Sequence, residues 1–301
     1  MIRNLALRFA LLIYLFACTN FASFAFAQDM PLSQVLIDGE PWQLVGEGYQ
    51  FTEAPAVSPD GVFYFVDVPG NKIYRLNAEG KPEVFVDDSG KASGLMFGAD
   101  GRLYACQNGG RKIVAYNADG EATTIADDVD CNDLVVARNG AIYFTDPKHK
   151  QVWYVSPTGE KRVVDEGIEL PNGIILWPDQ RSLVVSDTRT LNLWVFRIED
   201  DGSLSFKQPY YTMQGVFGRT DSGADGMTVD REGRLFVATY AGLQVFDTQG
   251  RLSGVILKPQ EKFLSNVVFA GPDLKTLYVT STDKVYRRAT KVTGLRFSDA
   301  K

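Results

Sequence analysis

The feature that most constrains this chain is a motif repeated six times: a residue with a side-chain oxygen, a short apolar run, and a tight turn. The copies start at Glu53 (EAPAVSPDG), Ser93 (SGLMFGADG), Asn132 (NDLVVARNG), Asn172 (NGIILWPDQ), Asp225 (DGMTVDREG) and Asn266 (NVVFAGPDL). Each leading residue stands eight positions before a turn-closing residue: Gly61, Gly101, Gly140, Gln180, Gly233 and Leu274. A second apolar run follows each turn, marked by Phe63, Leu103, Ile142, Leu183, Leu235 and Leu277, with spacings of 40, 39, 41, 52 and 42. Third runs such as KIYRL at 72–76, QVWYV at 151–155 and NLWVFR at 192–197 complete the units. A period near 40 with three or four short strands per unit predicts a β-propeller, and six units predict six blades. Few residues follow Arg288, so the segment before Glu53, with PWQLV at 41–45, is expected to supply the strand that closes the ring. The fold expected is all-β, a six-bladed β-propeller with a metal site in its central channel, and no long helix is required.

Composition agrees with many short strands joined by tight turns. Gly (28), Pro (13) and 12% aromatics accompany 45% hydrophobic and 23% charged residues. The net charge of −6 and a pI near 5.0 leave no basic footprint for nucleic acid. Residues 1–27 read as a cleaved signal peptide: Arg3 and Arg8, an apolar run, and Ala25-Phe26-Ala27 as cleavage site. Residues 28–301 then form one propeller domain, exported to the periplasm or beyond, with no stable membrane contact after cleavage. The alternative fates of the leader are retention of the uncharged stretch 9–27 as an anchor and lipidation at Cys18, since Leu15-Phe16-Ala17-Cys18 weakly resembles a lipoprotein box. Cys106 and Cys131 would remain, either as a disulfide or as two free thiols. The 52-residue spacing places an insertion within 199–223, where Tyr210, Tyr211 and Phe217 could form a flap over the channel mouth.

In a propeller the first strand of each blade lines the axis, so residues at one offset in every repeat share one height. Glu53, Ser93, Asn132, Asn172, Asp225 and Asn266 should therefore surround one end of the channel. Taken singly, Asn172-Gly173 and Asp225-Gly226 read as turns, and Asp60, Asp100, Asp119 and Asp179 keep that reading. Taken together, two carboxylates among amides would repel each other without a cation. Oxygen donors with neither His nor Cys match Ca²⁺ first, with Zn²⁺, Mg²⁺ or Mn²⁺ as alternatives.

Several of these stretches together resemble the gluconolactonase/senescence-marker-protein (regucalcin)/luciferin-regenerating family of six-bladed propellers. The carriers are Thr52-Glu53-Ala54-Pro55, Asn132-Asp133-Leu134 followed by IYFTDP at 142–147, Pro171-Asn172-Gly173, Asp225-Gly226-Met227, and Gly271-Pro272-Asp273 with TLYVT at 276–280. The resemblance implies a divalent metal, usually calcium, held by Glu53, Asn172 and Asp225, with Asn132 at the metal or the substrate. It implies hydrolysis of sugar lactones or related esters, a small-molecule partner. Asp225 is the expected general base, and Asn132, Asn108, His149, Tyr240 and Asn266 are the expected substrate-binding residues. His149 also reads as a plain loop residue between two lysines. Two departures stand out: Asp130 replaces an arginine of regucalcin-type members, and Glu53-Ala54-Pro55 replaces Glu-Gly-Pro. The rival functions are phosphotriester hydrolysis at the same site and a non-catalytic, ligand-binding propeller.

Overall fold

The computed structural model describes residues 31–296. The proposed leader and the cysteine at position 18 lie outside the described residues. Six four-stranded antiparallel sheets make up the chain. The first blade contains Thr52–Val57, Phe63–Asp67, Lys72–Leu76 and Pro82–Val86, in sequence order from the axis outward. Blades two to five repeat that order. The sixth contains Asn266–Ala270, Thr276–Ser281 and Lys284–Ala289, and its outermost strand is Gln43–Glu47 from the start of the chain. Gln43 pairs with Arg287 and Leu44 with Tyr286, so the expected ring closure is present. Among the described residues the one helix is a 3₁₀ turn, Leu32–Gln34.

The second strands explain their continuous apolar reading. Phe63–Asp67, Leu103–Gln107, Ile142–Asp146 and Leu235–Thr239 are buried along their whole length, because a neighbouring blade covers each face. The core accordingly lies between blades. Ile113, Leu134, Ile142 and Phe144 fill the gap between blades two and three, and Leu176, Leu183 and Phe196 belong to the gap between three and four. Aromatic stacking closes the seam between blades six and one, where Phe63 and Tyr278 lie 4.3 Å apart.

The turn that ends every first strand has one geometry. The closing residue donates its N–H to the carbonyl three residues earlier, as in Gly61 to Ser58 and Gly233 to Asp230. All six closers are left-handed, including Gln180 (φ 56) and Leu274 (φ 53). Glycine predominates there because it reaches that region without a Cβ penalty.

The insertion is built differently from the expected flap. Tyr210 and Tyr211 sit in a nine-residue outer strand, Leu204–Thr212, on the flank of the blade. Tyr211 is buried against Trp177 and Phe246, and the Tyr210 hydroxyl donates to the Gln249 carbonyl. The Tyr211 ring is more stable buried between blades than exposed over a mouth, whereas Tyr210 stays half-exposed on the flank. Only the following connection, 213–223, returns to the end of the channel where the first strands begin; Phe217 lies in it.

Candidate functional site

The six leading residues do sit at equivalent heights. The backbone N–H of Asn132 bonds the Thr145 carbonyl at 2.8 Å, that of Asp225 bonds Ala238 at 3.0 Å, and Asn266 pairs with Thr280. Irregular pairing follows the leading residue in blades one and four, between Glu53 and Ala56 and between Pro171 and Ile174. In blade one that irregularity places Ala54 at φ 47, and its N–H folds back to donate to Glu53 Oε2 at 2.7 Å. A glycine would reach this conformation freely, so Ala54 carries a backbone cost here.

The glycines after Asn172 and Asp225 have another purpose than the turn expected of them. A Cβ on Gly173 would lie 2.1 Å from the Asp225 carbonyl oxygen, and one on Gly226 would lie 1.8 Å from the Asn266 side chain. Adjacent blades approach each other closely here, and the missing side chains permit it.

Glu53 and Asp225 are both buried, 8% and 7% exposed. The two carboxyl groups influence each other's protonation. Burial pushes Glu53 up to about 7, against the lowering effect of the Ala54 N–H and of Asn266, Ser265 and Asp225. Burial also pushes Asp225 well above the usual carboxylate range, with the charges of Glu53 and Asp133 adding to it. Asn266 donates from Nδ2 to Glu53 Oε2 at 3.2 Å, while its Oδ1 accepts the Val267 N–H; both ends are engaged in bracing Glu53. Asn132 donates from Nδ2 to Asn172 Oδ1, and Asn172 donates to Thr188 Oγ1 at 3.2 Å. Ser93 faces away from this role, its hydroxyl donating to the Asn132 carbonyl at 2.8 Å.

One residue at the site escaped the repeat register. Asp133 stands one position below the ring, at the level of Ala54, Gly94, Gly173, Gly226 and Val267, where every other side chain is small or apolar. Its Oδ1 accepts the Leu134 N–H at 2.9 Å. Burial, and then the Glu53 charge, push it well above the usual carboxylate range. The signal available in the sequence is a carboxylate at an offset otherwise held by Gly, Ala or Val.

Among the described residues no salt bridge reaches Glu53, Asp133 or Asp225. Two buried, interacting carboxyls above a third, ringed by amide side chains and without a basic partner, fit a hard divalent cation in charge and donor type. A second acidic group, Asp130, Asp146 and His149, lies on the same face. Its charges are already matched: Asp130 accepts from Arg111 Nη1 and from Lys148 Nζ at 3.2 Å, and His149 Nδ1 lies 2.7 Å from Asp146 Oδ2. Arg111 and Lys148 thus bring positive charge beside Asp130. His149 and Asn108 are exposed in the turns after the second strands of blades three and two, and neither hydrogen-bonds a ring residue. Tyr240 occupies the equivalent turn of blade five, half-buried above Gly223.

Below the ring the channel holds a cavity of about 90 Å³, lined by Asp133 and Asn266 near the ring and by Leu295 and Arg296 at the far end. The closing segment is tied down by Gly294 N–H to the Leu274 carbonyl and Arg231 N–H to Thr293. Cys106 and Cys131 are buried, free and adjacent, between blades two and three.

A gluconolactonase of Zymomonas mobilis is 27% identical over 308 residues, covering 87% of this chain and 85% of the relative. The pentonolactonase XacC of Haloferax volcanii is 26% identical, with 79% and 84% covered. Among solved structures, a gluconolactonase of Xanthomonas campestris superposes with a TM-score of 0.75 at 26% identity, covering 86% of this chain and 92% of its own. The model of the SMP-30/Gluconolactonase/LRE-like region matches residues 46–283, nearly the whole described chain, and the chain belongs to that family.

Proposed function

We propose that this chain is a lactonase that opens sugar lactones or related lactones with the help of a divalent cation, Ca²⁺ first, at the ring face. The observation that carries the reading is the buried Glu53–Asp225 carboxyl pair with no basic partner. Three lactonase relatives support the reaction class. Glu53, Asn172 and Asp225 would hold the cation, with Asn132 at its edge. When bound, the ion supplies Lewis-acid stabilisation of negative charge on the lactone carbonyl oxygen.

The chain's own groups divide the remaining work. Glu53 is fixed in place by the Ala54 N–H and by Asn266, and with the cation bound it would serve as an anionic anchor and not as a proton carrier. Asp225 lacks comparable N–H donors and is the base that takes a proton from the attacking water. Asn132 spends its Nδ2 on Asn172 and keeps Oδ1 to orient the substrate. Its leader would carry such an enzyme out of the cytoplasm.

Lactone opening followed with a pH indicator, with and without chelator, tests the proposal. Asp225→Asn should keep the circular dichroism spectrum and lose about 10²–10⁴-fold in kcat, the range of general-base catalysis. Unchanged turnover in that variant removes Asp225 from the mechanism, and full activity in chelator removes the cation. Faster turnover of a phosphotriester than of any lactone would replace the reaction class.

A further inference from the structure

Half of the ring face is aromatic. Phe51 lies two residues before Glu53, Phe263 three before Asn266, and Tyr240 two after Ala238, whose carbonyl holds the Asp225 N–H. The Phe51 and Phe263 rings stack at 6.5 Å and 13°. Phe263 meets Tyr240 at 5.4 Å. All three are half-buried, so each keeps part of its ring open. They run along blades five, six and one, which also carry Asp225, Asn266 and Glu53. The other three blades present Asn108, Lys148, His149 and Arg189, all exposed and polar.

The wall ends in a cation that is already spent. The Arg219 guanidinium lies 3.8 Å from the Tyr240 ring centroid, while its Nε and Nη2 donate to the Asp221 carboxylate at 2.9 and 3.2 Å. Arg219 therefore pins a tight turn, 216–219, against Tyr240; its N–H closes that turn on the Val216 carbonyl. Two residues away, Phe217 is fully exposed, beside the partly exposed Val216. An apolar tip held next to an aromatic wall, at the carboxylate half of the ring, is a place for an apolar group.

We propose that Phe51, Phe263 and Tyr240, edged by Phe217, form a subsite for an alkyl or aryl substituent of the lactone. The preferred substrate is then a lactone with an apolar side group and not a fully hydroxylated one. The proposal rests on the lactonase reading. Hydroxyl groups laid on this wall would lose water and find no partner. Each methylene covered by it raises kcat/KM by up to roughly fourfold.

The test uses the full chain with Ca²⁺ and a series of δ-lactones: unsubstituted, bearing alkyl chains of two, four and six carbons, and glucono-δ-lactone. Binding of the matching δ-lactams, which resist opening, is measured by calorimetry in parallel. Expected is a rise of at least tenfold across the alkyl series in both readouts, flattened to under threefold in Phe51→Ala and Phe263→Ala. Phe263→Leu serves if the alanine variant does not fold, and should flatten the series partway. A flat series in the parent, or glucono-δ-lactone above every alkyl lactone, overturns the subsite. A rising lactam series without any lactone turnover leaves the subsite standing and overturns the lactonase reading instead.

Discussion

Glu53 and Asp225 owe their chemistry to neighbours that are not themselves reactive. Gly173 is the clearest case, since its bare Cα is what allows Asp225 to approach from the next blade. Gly173→Ala would drive a methyl into the Asp225 carbonyl, a backbone atom that cannot rotate away. The expected cost is about 3 kcal/mol, at the upper end of overpacking effects. Urea unfolding checks it, and a loss below about 1 kcal/mol would mean the two blades can separate. Asp133 shows the limit of reading from sequence at this scale. A register finds residues at the shared offset, and Asp133 lies one step off it; only folding reveals that this step still faces the axis. Ser93 shows the converse, because offset alone does not say whether a hydroxyl turns to the axis or to the Asn132 carbonyl.

Strands and turns were more legible than contacts. The second strands are apolar on both faces and so stand out in the sequence, and the turn closers repeat because a left-handed residue is needed six times. The insertion was visible as a longer spacing, but length does not say whether added residues extend a strand or cover a mouth. Here they are divided: Leu204–Thr212 has nine residues where other outer strands have five or six, and its Tyr211 finds a buried place, while the rest go into the connection that follows. The closing strand Gln43–Glu47 supports a prediction of its own. It covers the open edge of Lys284–Ala289, and Lys284 also pairs with Glu47 at 2.6 Å. Removing residues 31–47 leaves blade six with three strands and an exposed edge, and should lower Tm by 10 °C or more in a thermal melt. An unchanged Tm would show that the ring holds without its closure.

For the whole molecule, the carboxyl cluster couples stability to pH and to cations. In metal-free protein the Glu53 pKa is about 7, above an ordinary value of 4.5, and Asp133 and Asp225 shift in the same direction. A raised carboxyl pKa means the folded state binds the proton more tightly than the unfolded chain. Its stabilising effect is complete below about 4.5 and disappears as pH rises through about 7. Glu53 alone is worth on the order of 3 kcal/mol across that window. Chelator-treated protein should therefore melt at a lower temperature at pH 8 than at pH 5, and millimolar Ca²⁺ should recover the difference at pH 8. A flat profile in chelator would contradict burial of the ionised cluster.

The closure of the ring also sets an order of events during synthesis. Gln43 is among the first described residues to be made, yet Arg287, its partner, follows 244 positions later. At about 5–20 residues per second, the first strand waits on the order of 10–50 s for its place. No sheet can hold it in the meantime, so its makeup matters before it matters for the native state. Gln43, Leu44 and Glu47 are exposed even when paired, and the strand is only five residues long. A strand this short, with a glycine inside it and a charge at its end, is a poor template for mispairing. The last blade to be completed is thus finished by the segment best suited to remain unpaired until then.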